Sequence, residues 1–456
     1  MARTAPPSAA PRPARSSVRS FESILTGLVG DPLPLATGLG CRNSKGRVCT
    51  LCWGSRLTYA HETRFKVEAL ARWADQIASL PPPQFIASPQ GRMYRSVSKR
   101  RWIHERKLLA MVEGIERGRI LGIAPAQCQI EPGSHAALYT QLQNEFSHSS
   151  LARFVNYAII KSGVDGEVLV LNLSDMRSQR AELNRISKKL THHNENLKAI
   201  WLIQGQEGDE YYANIRPGQW QKLHGENHLA TAQNLHYSPL CFSQVNPHVV
   251  PIMLEATQKW LAEPALPMLD LYSGYGLFSL GMPRTGPTQG FELSGEAVLW
   301  ARRNARRLKR EGARFDPWDL ATMELPERRF PSGAWVAVLD PPRSGAPVEL
   351  IKHLTRMRPK RVMHWICDIN EFEDQLRGWT QNGYRVTEAL ALDMFPGTNS
   401  LELGLCLEPG GRLKTAKPSH LINKAGTTSE CIPPKKPAIS RATSTASGPR
   451  PKRPKR

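Results

Sequence analysis

The sequence predicts an α/β chain whose second half is a doubly wound parallel sheet, preceded by a region of mixed α+β type. Three observations carry this. From about residue 250 onward, short apolar runs such as Pro267–Tyr272 alternate with helical stretches such as Ala297–Arg310, the pattern of a parallel sheet with helices on its faces. Between Trp53 and Ala230 there are strand-like runs, 166–171 and 198–203 among them, without a nucleotide-binding loop. The two ends are basic and rich in Pro and Ser, so they fall outside any packed unit.

The 456 residues, at about 150 per domain, make roughly three units or two with tails. A hydrophobic share of 40% with 22% charged residues excludes a wholly disordered or fibrous chain. The net charge of +21 points to a polyanionic partner, nucleic acid first. Residues 1–20 hold four Arg and no acid, and residues 411–456 hold twelve Lys or Arg against Glu430 alone. Such arms add salt-dependent affinity for nucleic acid without sequence choice. An organelle transit peptide also fits the acid-free start, which however shows little amphipathic order. No apolar run nears the roughly 18 residues a membrane helix needs, and the start has no secretory core. A cytoplasmic location and reduced cysteines are expected.

The first strand of the second half, Pro267–Tyr272, runs into Ser273-Gly274-Tyr275-Gly276. Two glycines let backbone turn tightly and approach a ligand at the carboxyl end of that strand. The next strand ends at Glu292, where an acid can accept from both ribose hydroxyls of an adenosine. The loop lacks the third glycine of a dinucleotide site and the Lys-Ser/Thr of a triphosphate site, which leaves S-adenosylmethionine as the best adenosine ligand. Ser294 is placed to cap a helix whose exposed face bears Arg302, Arg303, Arg306, Arg307, Lys309 and Arg310. A later strand, 334–339, delivers Asp340-Pro341-Pro342-Arg343-Ser344-Gly345 to the same edge. Methyltransferases that act on amino groups carry an aromatic residue after the two prolines; Arg343 there argues against an exocyclic nitrogen as target.

Of the eight cysteines, Cys41, Cys49 and Cys52 are clustered and Cys128 stands apart. Four thiolates suit either a tetrahedral zinc ion or a four-iron, four-sulfur cluster. Cys241, Cys406 and Cys431 have no such company.

Taken in order, Phe242-Ser243-Gln244-Val245-Asn246, the Asp270–Gly276 loop, Phe291-Glu292, Asp340–Gly345, and Asp393-Met394-Phe395-Pro396-Gly397-Thr398 with Leu401-Glu402 resemble the RNA 5-methyluridine methyltransferase family over about residues 40–408. The resemblance implies a class I methyltransferase domain of Rossmann type at 241–410, behind an iron-sulfur cysteine region at 41–135 and an α+β RNA-binding region at 136–240. Basic tails would flank these at 1–40 and 411–456, the latter disordered. It also implies Cys367 as nucleophile, Glu402 as general base, S-adenosylmethionine held by Gln244, Tyr272, Glu292 and Asp340, and a 4Fe-4S cluster on Cys41, Cys49, Cys52 and Cys128. The expected partner is RNA, 23S rRNA above all, bound by a monomer with no membrane contact. The tails and the mixed aromatic and basic stretch Met93–Arg101 would contact the RNA.

Two departures stand out. Asp368-Ile369 follows Cys367 where the family has Asn-Pro or a close variant, and Gly397 stands where His is usual. A carboxylate beside the thiol opposes thiolate formation. A catalytically inactive RNA-binding or ribosome-assembly factor therefore stays open beside the enzyme, as does, more weakly, a methyltransferase of another base or of DNA.

Overall fold

A computed structural model of the protein describes residues 19–29, 41, 42, 45, 46, 49, 51–116, 119–124, 128–177, 179–205, 218–322, 325, 326 and 333–410. The carboxyl-terminal tail, with Cys431, lies outside them, as does most of the amino-terminal one. Residues 21–29, expected to belong to that basic tail, instead form helix α1 (Phe21–Val29) with Phe21, Ile24 and Leu25 buried. Apolar residues at helical spacing, free of Pro, outweigh the basic surroundings.

The chain continues through α2 (Tyr59–Ala74), β1 (Gln84–Ile86), β2 (Val97–Ile103), β3 (Leu108–Glu116), β4 (Arg119–Ile123), α3 (Gly133–Ser147), β5 (Val155–Gly163), β6 (Gly166–Leu173), α4 (Arg180–His193), β7 (Leu197–Gln204) and β8 (Trp220–Gly225). Strands β2 to β8 make a mixed sheet ordered β4-β3-β2-β5-β6-β7-β8. Its central strands β6 and β7 are the runs marked in the sequence, buried nearly end to end. Helices α3 and α4 cover one face through Leu138, Leu142, Leu183 and Ile186.

A short pair, β9 (Leu229–Ala230) and β10 (His236–Tyr237), leads to α5 (Val250–Leu261). Then come β11 (Met268–Leu271), α6 (Leu277–Gly281), β12 (Thr288–Glu292), α7 (Gly295–Arg307), β13 (Ala313–Pro317), β14 (Val336–Leu339), α8 (Val348–Met357), β15 (Arg361–Ile366), α9 (Phe372–Thr380), β16 (Tyr384–Leu392) and β17 (Glu402–Pro409). The second sheet is ordered β1-β16-β17-β15-β14-β11-β12-β13, parallel except where β17 runs against its neighbours. This is the doubly wound α/β architecture the sequence predicts, with β11 next to the point where the winding reverses.

Strand β1 adds to the far edge of this sheet, with Ile86 opposite Leu392. Helices α1 and α2 pack on its outer face beside α8 and α9, Trp73 meeting Phe372 at 5.1 Å. Helices α1 and α2 and strand β1 are thus part of the second sheet's own core. The opposite face shares one apolar core with the first sheet, where Tyr157, Ile159 and Val170 join Met253, Met268, Tyr275 and Val338. Among the described residues no helix is long and apolar enough to cross a membrane.

Candidate active site

The carboxyl ends of β11, β12, β14 and β15 open on one edge of the second sheet, where a parallel sheet offers its loops to ligands. After β11 the backbone turns with Tyr272, Gly274 and Gly276 all at positive φ, 64°, 54° and 92°. A side chain at Gly274 would meet open space, so that glycine serves backbone conformation and leaves room for a ligand. Gly290, on β12, has another purpose. A Cβ there would lie 2.4 Å from the Phe315 ring, so its glycine permits close packing against β13.

Glu292 ends β12 and accepts from the Gly274 N–H at 3.1 Å and the Ser294 N–H at 2.8 Å. Burial holds its carboxyl above the ordinary value, so further donors would favour the ion. Ser294 caps α7 as expected by accepting from Ala297. Tyr272 is half-buried on the glycine turn, its phenol raised by burial and then by Asp319 and Glu292. Trp318 and Asp319, just past β13, complete this pocket and were not singled out in the sequence. Their signal is position: they follow the strand next to β12, and the buried Trp318 indole N–H has no acceptor among the described residues. Asp270 Oδ1 and Ser273 Oγ are likewise buried without partners. Orphaned polar atoms around a glycine turn are what a polar adenosine ligand would satisfy, so these residues fit S-adenosylmethionine.

The second half of the site lies at β14, β15 and β17. Ile366 pairs with Leu403 across β15 and β17. One step further along this antiparallel register sets Cys367 opposite Glu402, so thirty-five residues of separation vanish in the fold. Glu402 is 1% exposed, and its Oε1 has no hydrogen-bond partner among the described residues. Burial, then Asp340, raises its carboxyl well above the ordinary range, and Arg343 opposes them. Asp340 is pushed up to about 7 by burial and accepts from Gln244 Nε2 at 3.0 Å. Cys367 is half-buried, with its thiol pushed up to about 12 by burial first, then Glu402 and Asp340; Arg343 opposes, and Asp368 adds the smallest contribution. The Asp368 carboxylate is occupied, accepting from the Asn370 backbone at 3.0 Å and side chain at 2.9 Å.

Gln244 is held from the first sheet. Ser96 Oγ donates toward the carbonyls of Gln244 and Val245, and the buried Lys161 ammonium donates to the Cys241 carbonyl at 2.6 Å. Asn246, fully buried, ties this stretch to the Met394 carbonyl. Gly397 sits in the following turn at φ 91°. Its N–H donates to Glu62, its carbonyl accepts from Gly54, and a Cβ there would come within 3.0 Å of Ile130. The conformation and the contact both call for glycine.

The four amino-terminal cysteines gather on that side. Gln129 N–H donates to the Cys41 sulfur at 3.2 Å, and Cys49 N–H to the Cys41 carbonyl at 2.8 Å. A hydrogen bond with Cys128 is the main reason the Cys41 thiol is drawn down to about 7. Burial, then Cys49 and Cys41, pushes Cys52 up to about 12. Among the described residues no three His, Cys, Asp or Glu side chains converge as a single metal ion requires.

Within the stretch Met93–Arg101, expected to contact RNA, two side chains lie in the core while Met93 and Lys99 are exposed. Tyr94 is buried with its hydroxyl on the Pro396 carbonyl, and Arg100 is buried against Glu131 at 2.9 Å and the Tyr139 ring. Both are core residues because each polar end finds an internal partner. On α7, Arg302 and Arg307 are engaged by Asp316 and Asn234, while Arg306 faces solvent.

No family model matches the sequence. The chain is 25% identical over 391 residues to the 23S rRNA (uracil(747)-C(5))-methyltransferase RlmC of Shewanella amazonensis, 78% of this chain and 95% of that one. It is 25% identical to RlmC of Yersinia pseudotuberculosis over 60% of this chain and 75% of that one. Among solved structures, the Pyrococcus abyssi tRNA (uracil-54, C5)-methyltransferase in complex with S-adenosyl-L-homocysteine superimposes with a TM-score of 0.58 at 19% identity, over 79% of this chain and 87% of that one.

Proposed function

We propose, from the premise that the chain belongs to the RNA 5-methyluridine methyltransferase family, that it methylates uridine C5 in RNA, with 23S rRNA as substrate, in the cytoplasm. The observation that carries this is Cys367 set across the strand register from the buried Glu402, whose Oε1 has no hydrogen-bond partner among the described residues, beside Asp340 and Gln244. S-adenosylmethionine, when bound, supplies the electrophilic methyl group. Glu292 binds its ribose, and Tyr272, Gln244 and Asp340 line the rest of its place.

Uracil C5 becomes nucleophilic only after a thiolate has added to C6 and pushed electrons toward O4. Cys367 is a protonated thiol in the free protein, so its proton must leave first. Asp340, poised near neutrality, is the acceptor beside it, and the Arg343 cation stabilises the thiolate. Cys367 then forms the bond to C6, and C5 gains the methyl carbon. Glu402 removes the C5 proton, the C5–C6 double bond re-forms, and the C6–S bond breaks to return the thiolate.

The same reading assigns a 4Fe-4S cluster to Cys41, Cys49, Cys52 and Cys128. What supports it is a set of four free thiols, Cys41 hydrogen-bonded to Cys128 and Cys52 facing Cys49 and Cys41, the number of thiolates that holds a four-iron, four-sulfur cluster. Protein purified without oxygen should be brown with about four irons per chain; a colourless protein with one zinc refutes the cluster.

The decisive experiment is RNA carrying 5-fluorouridine. Fluorine cannot leave as a proton, so a covalent protein–RNA adduct should accumulate in the presence of S-adenosylmethionine. Tight RNA binding without any adduct would favour the non-catalytic assembly factor instead.

A further inference from the structure

Helix α7 buries one polar side chain in its apolar face. Asn304, between Ala301 and Ala305, is 1% exposed. Asn is a poor helix former at such a position, and a buried amide costs stability unless its groups are bonded. Its Nδ2 donates to the His236 carbonyl at 2.7 Å and the Tyr275 carbonyl at 3.1 Å, while its Oδ1 accepts from the His236 N–H at 2.9 Å. Turning the amide over would set donor against donor at His236 and oxygen against two carbonyls, so one orientation is fixed. The Tyr275 carbonyl lacks the partner that a continuing helix would give it, because Ser279 N–H goes to Asp270 Oδ2 at 3.0 Å. Tyr275 lies at the centre of the glycine turn. With Gly276 N–H on the Ser273 carbonyl at 2.8 Å, both ends of the Tyr275–Gly276 peptide unit are held, and the Tyr275 ring is stacked on Tyr237 at 5.0 Å. The other side of the turn offers the Gly274 N–H to Glu292.

We propose that Asn304 is a positioning residue for S-adenosylmethionine, acting through the Tyr275–Gly276 peptide to aim the Gly274 N–H at Glu292 and so to set the carboxylate that accepts from the ribose. A turn with Tyr272, Gly274 and Gly276 all at positive φ has no regular ladder of hydrogen bonds to keep its shape. One preorganised amide supplies part of that hold, and a site held in its binding geometry loses less on binding. The inference rests on the cofactor reading above and extends it to a buried residue of the helix that follows β12.

The test uses the full chain and S-adenosylmethionine, titrated by calorimetry. Asn304→Asp keeps the acceptor for the His236 N–H but loses both donors, and should weaken binding roughly tenfold. Asn304→Ala, which adds no charge, carries the same expectation where the first variant does not fold. In a Glu292→Ala background, where the carboxylate is already gone, either change should cost less than about threefold, because residues that act through one group are not additive. Arg307→Gln frees the same helix from the same hairpin at Asn234 and should stay within about twofold of wild type, the scale of a surface change. Wild-type affinity in the Asn304 variants, or failure of both to fold, would overturn the proposal. So would a full tenfold loss on top of Glu292→Ala, or an equal loss in Arg307→Gln, since either marks a residue that only holds the fold. A wild-type protein that binds no S-adenosylmethionine is a different result, which removes the cofactor reading itself and the proposal with it.

Discussion

The carboxyl edge of the second sheet and the cysteine-bearing region before it are assembled by different physics. At the edge, each functional residue ends a strand or follows one within a few positions, so a single parallel sheet brings Tyr272, Glu292, Asp340 and Cys367 together whatever their spacing in sequence. The cysteine-bearing region holds α2 and strands β1 to β4. It is joined to the edge by a buried ionic chain in which Lys66 bonds both Glu62 and Asp393 at 2.8 Å, and Arg92 closes on Glu62 at 2.9 Å. Tyr59 donates to Asp393, and Gly397 N–H to Glu62. The site of chemistry is set by topology, while its neighbour is set by a few charges with no water to replace them.

The largest expected effect tests the first half of that contrast. On the mechanism proposed above, Cys367→Ala takes away the nucleophile and should lower methylation by ~10⁴-fold or more, with no adduct to fluorinated RNA. Melting temperature and cofactor affinity should stay near wild type, since Cys367 is half-buried and lies just past the end of β15. A variant that still methylates at a tenth of the normal rate would remove Cys367 from the mechanism.

Lys66→Met tests the second half. It leaves Glu62 and Asp393 buried without their shared cation, each 0% exposed, and breaking a buried pair in this way costs about 3–5 kcal/mol. Denaturant unfolding should show that loss. If stability is unchanged, the chain of charges does not hold the two regions together.

Legibility in the sequence follows the same divide. The Gly-x-Gly turn, Glu292 and the Asp340 loop could be read because each is a contiguous motif tied to one strand end, whereas Cys367 and Glu402 are pointed to only by the family resemblance. Helix α1 could not, because its nine residues sit inside basic, Pro-rich sequence whose composition hides the periodicity. Tyr94 and Arg100 look like RNA contacts from their types, and only the partners Pro396 and Glu131, distant or on another segment, reveal them as core. The ionic chain spans more than three hundred residues from Glu62 to Gly397, beyond any local pattern. Gly397 itself, a departure from the family's usual residue, becomes intelligible once its positive φ and its contact with Ile130 are known.

Glu292→Ala comes next in size. The carboxylate bonds the glycine turn through Gly274, and on the reading above it also accepts from ribose hydroxyls. Losing charge-assisted bonds of about 1.5–3 kcal/mol should weaken S-adenosylmethionine roughly tenfold or more by calorimetry. Unchanged affinity would take the cofactor away from the Gly274 turn, and the strand-end account of the edge with it.

The smallest effect is expected at Asp368, the departure that most threatens catalysis on sequence grounds. The thiolate is the reactive form, so the rate of Cys367 alkylation by iodoacetamide should climb with pH and reach no plateau below about 10, given a thiol pushed up to about 12. Removing a neighbouring negative charge lowers that value and moves the rise to lower pH. Burial and the carboxyls of Glu402 and Asp340 outrank Asp368 as causes, and Asn370 already engages its carboxylate from two sides. Asp368→Asn keeps an oxygen to accept the Asn370 N–H, so the turn should survive. The alkylation rate at pH 8 should therefore rise by less than about threefold, the scale of an exposed-pair interaction, whereas Glu402→Gln should raise it more. A reversal of that order would make the residue after the cysteine, and not the strand opposite it, the group that keeps the thiol protonated.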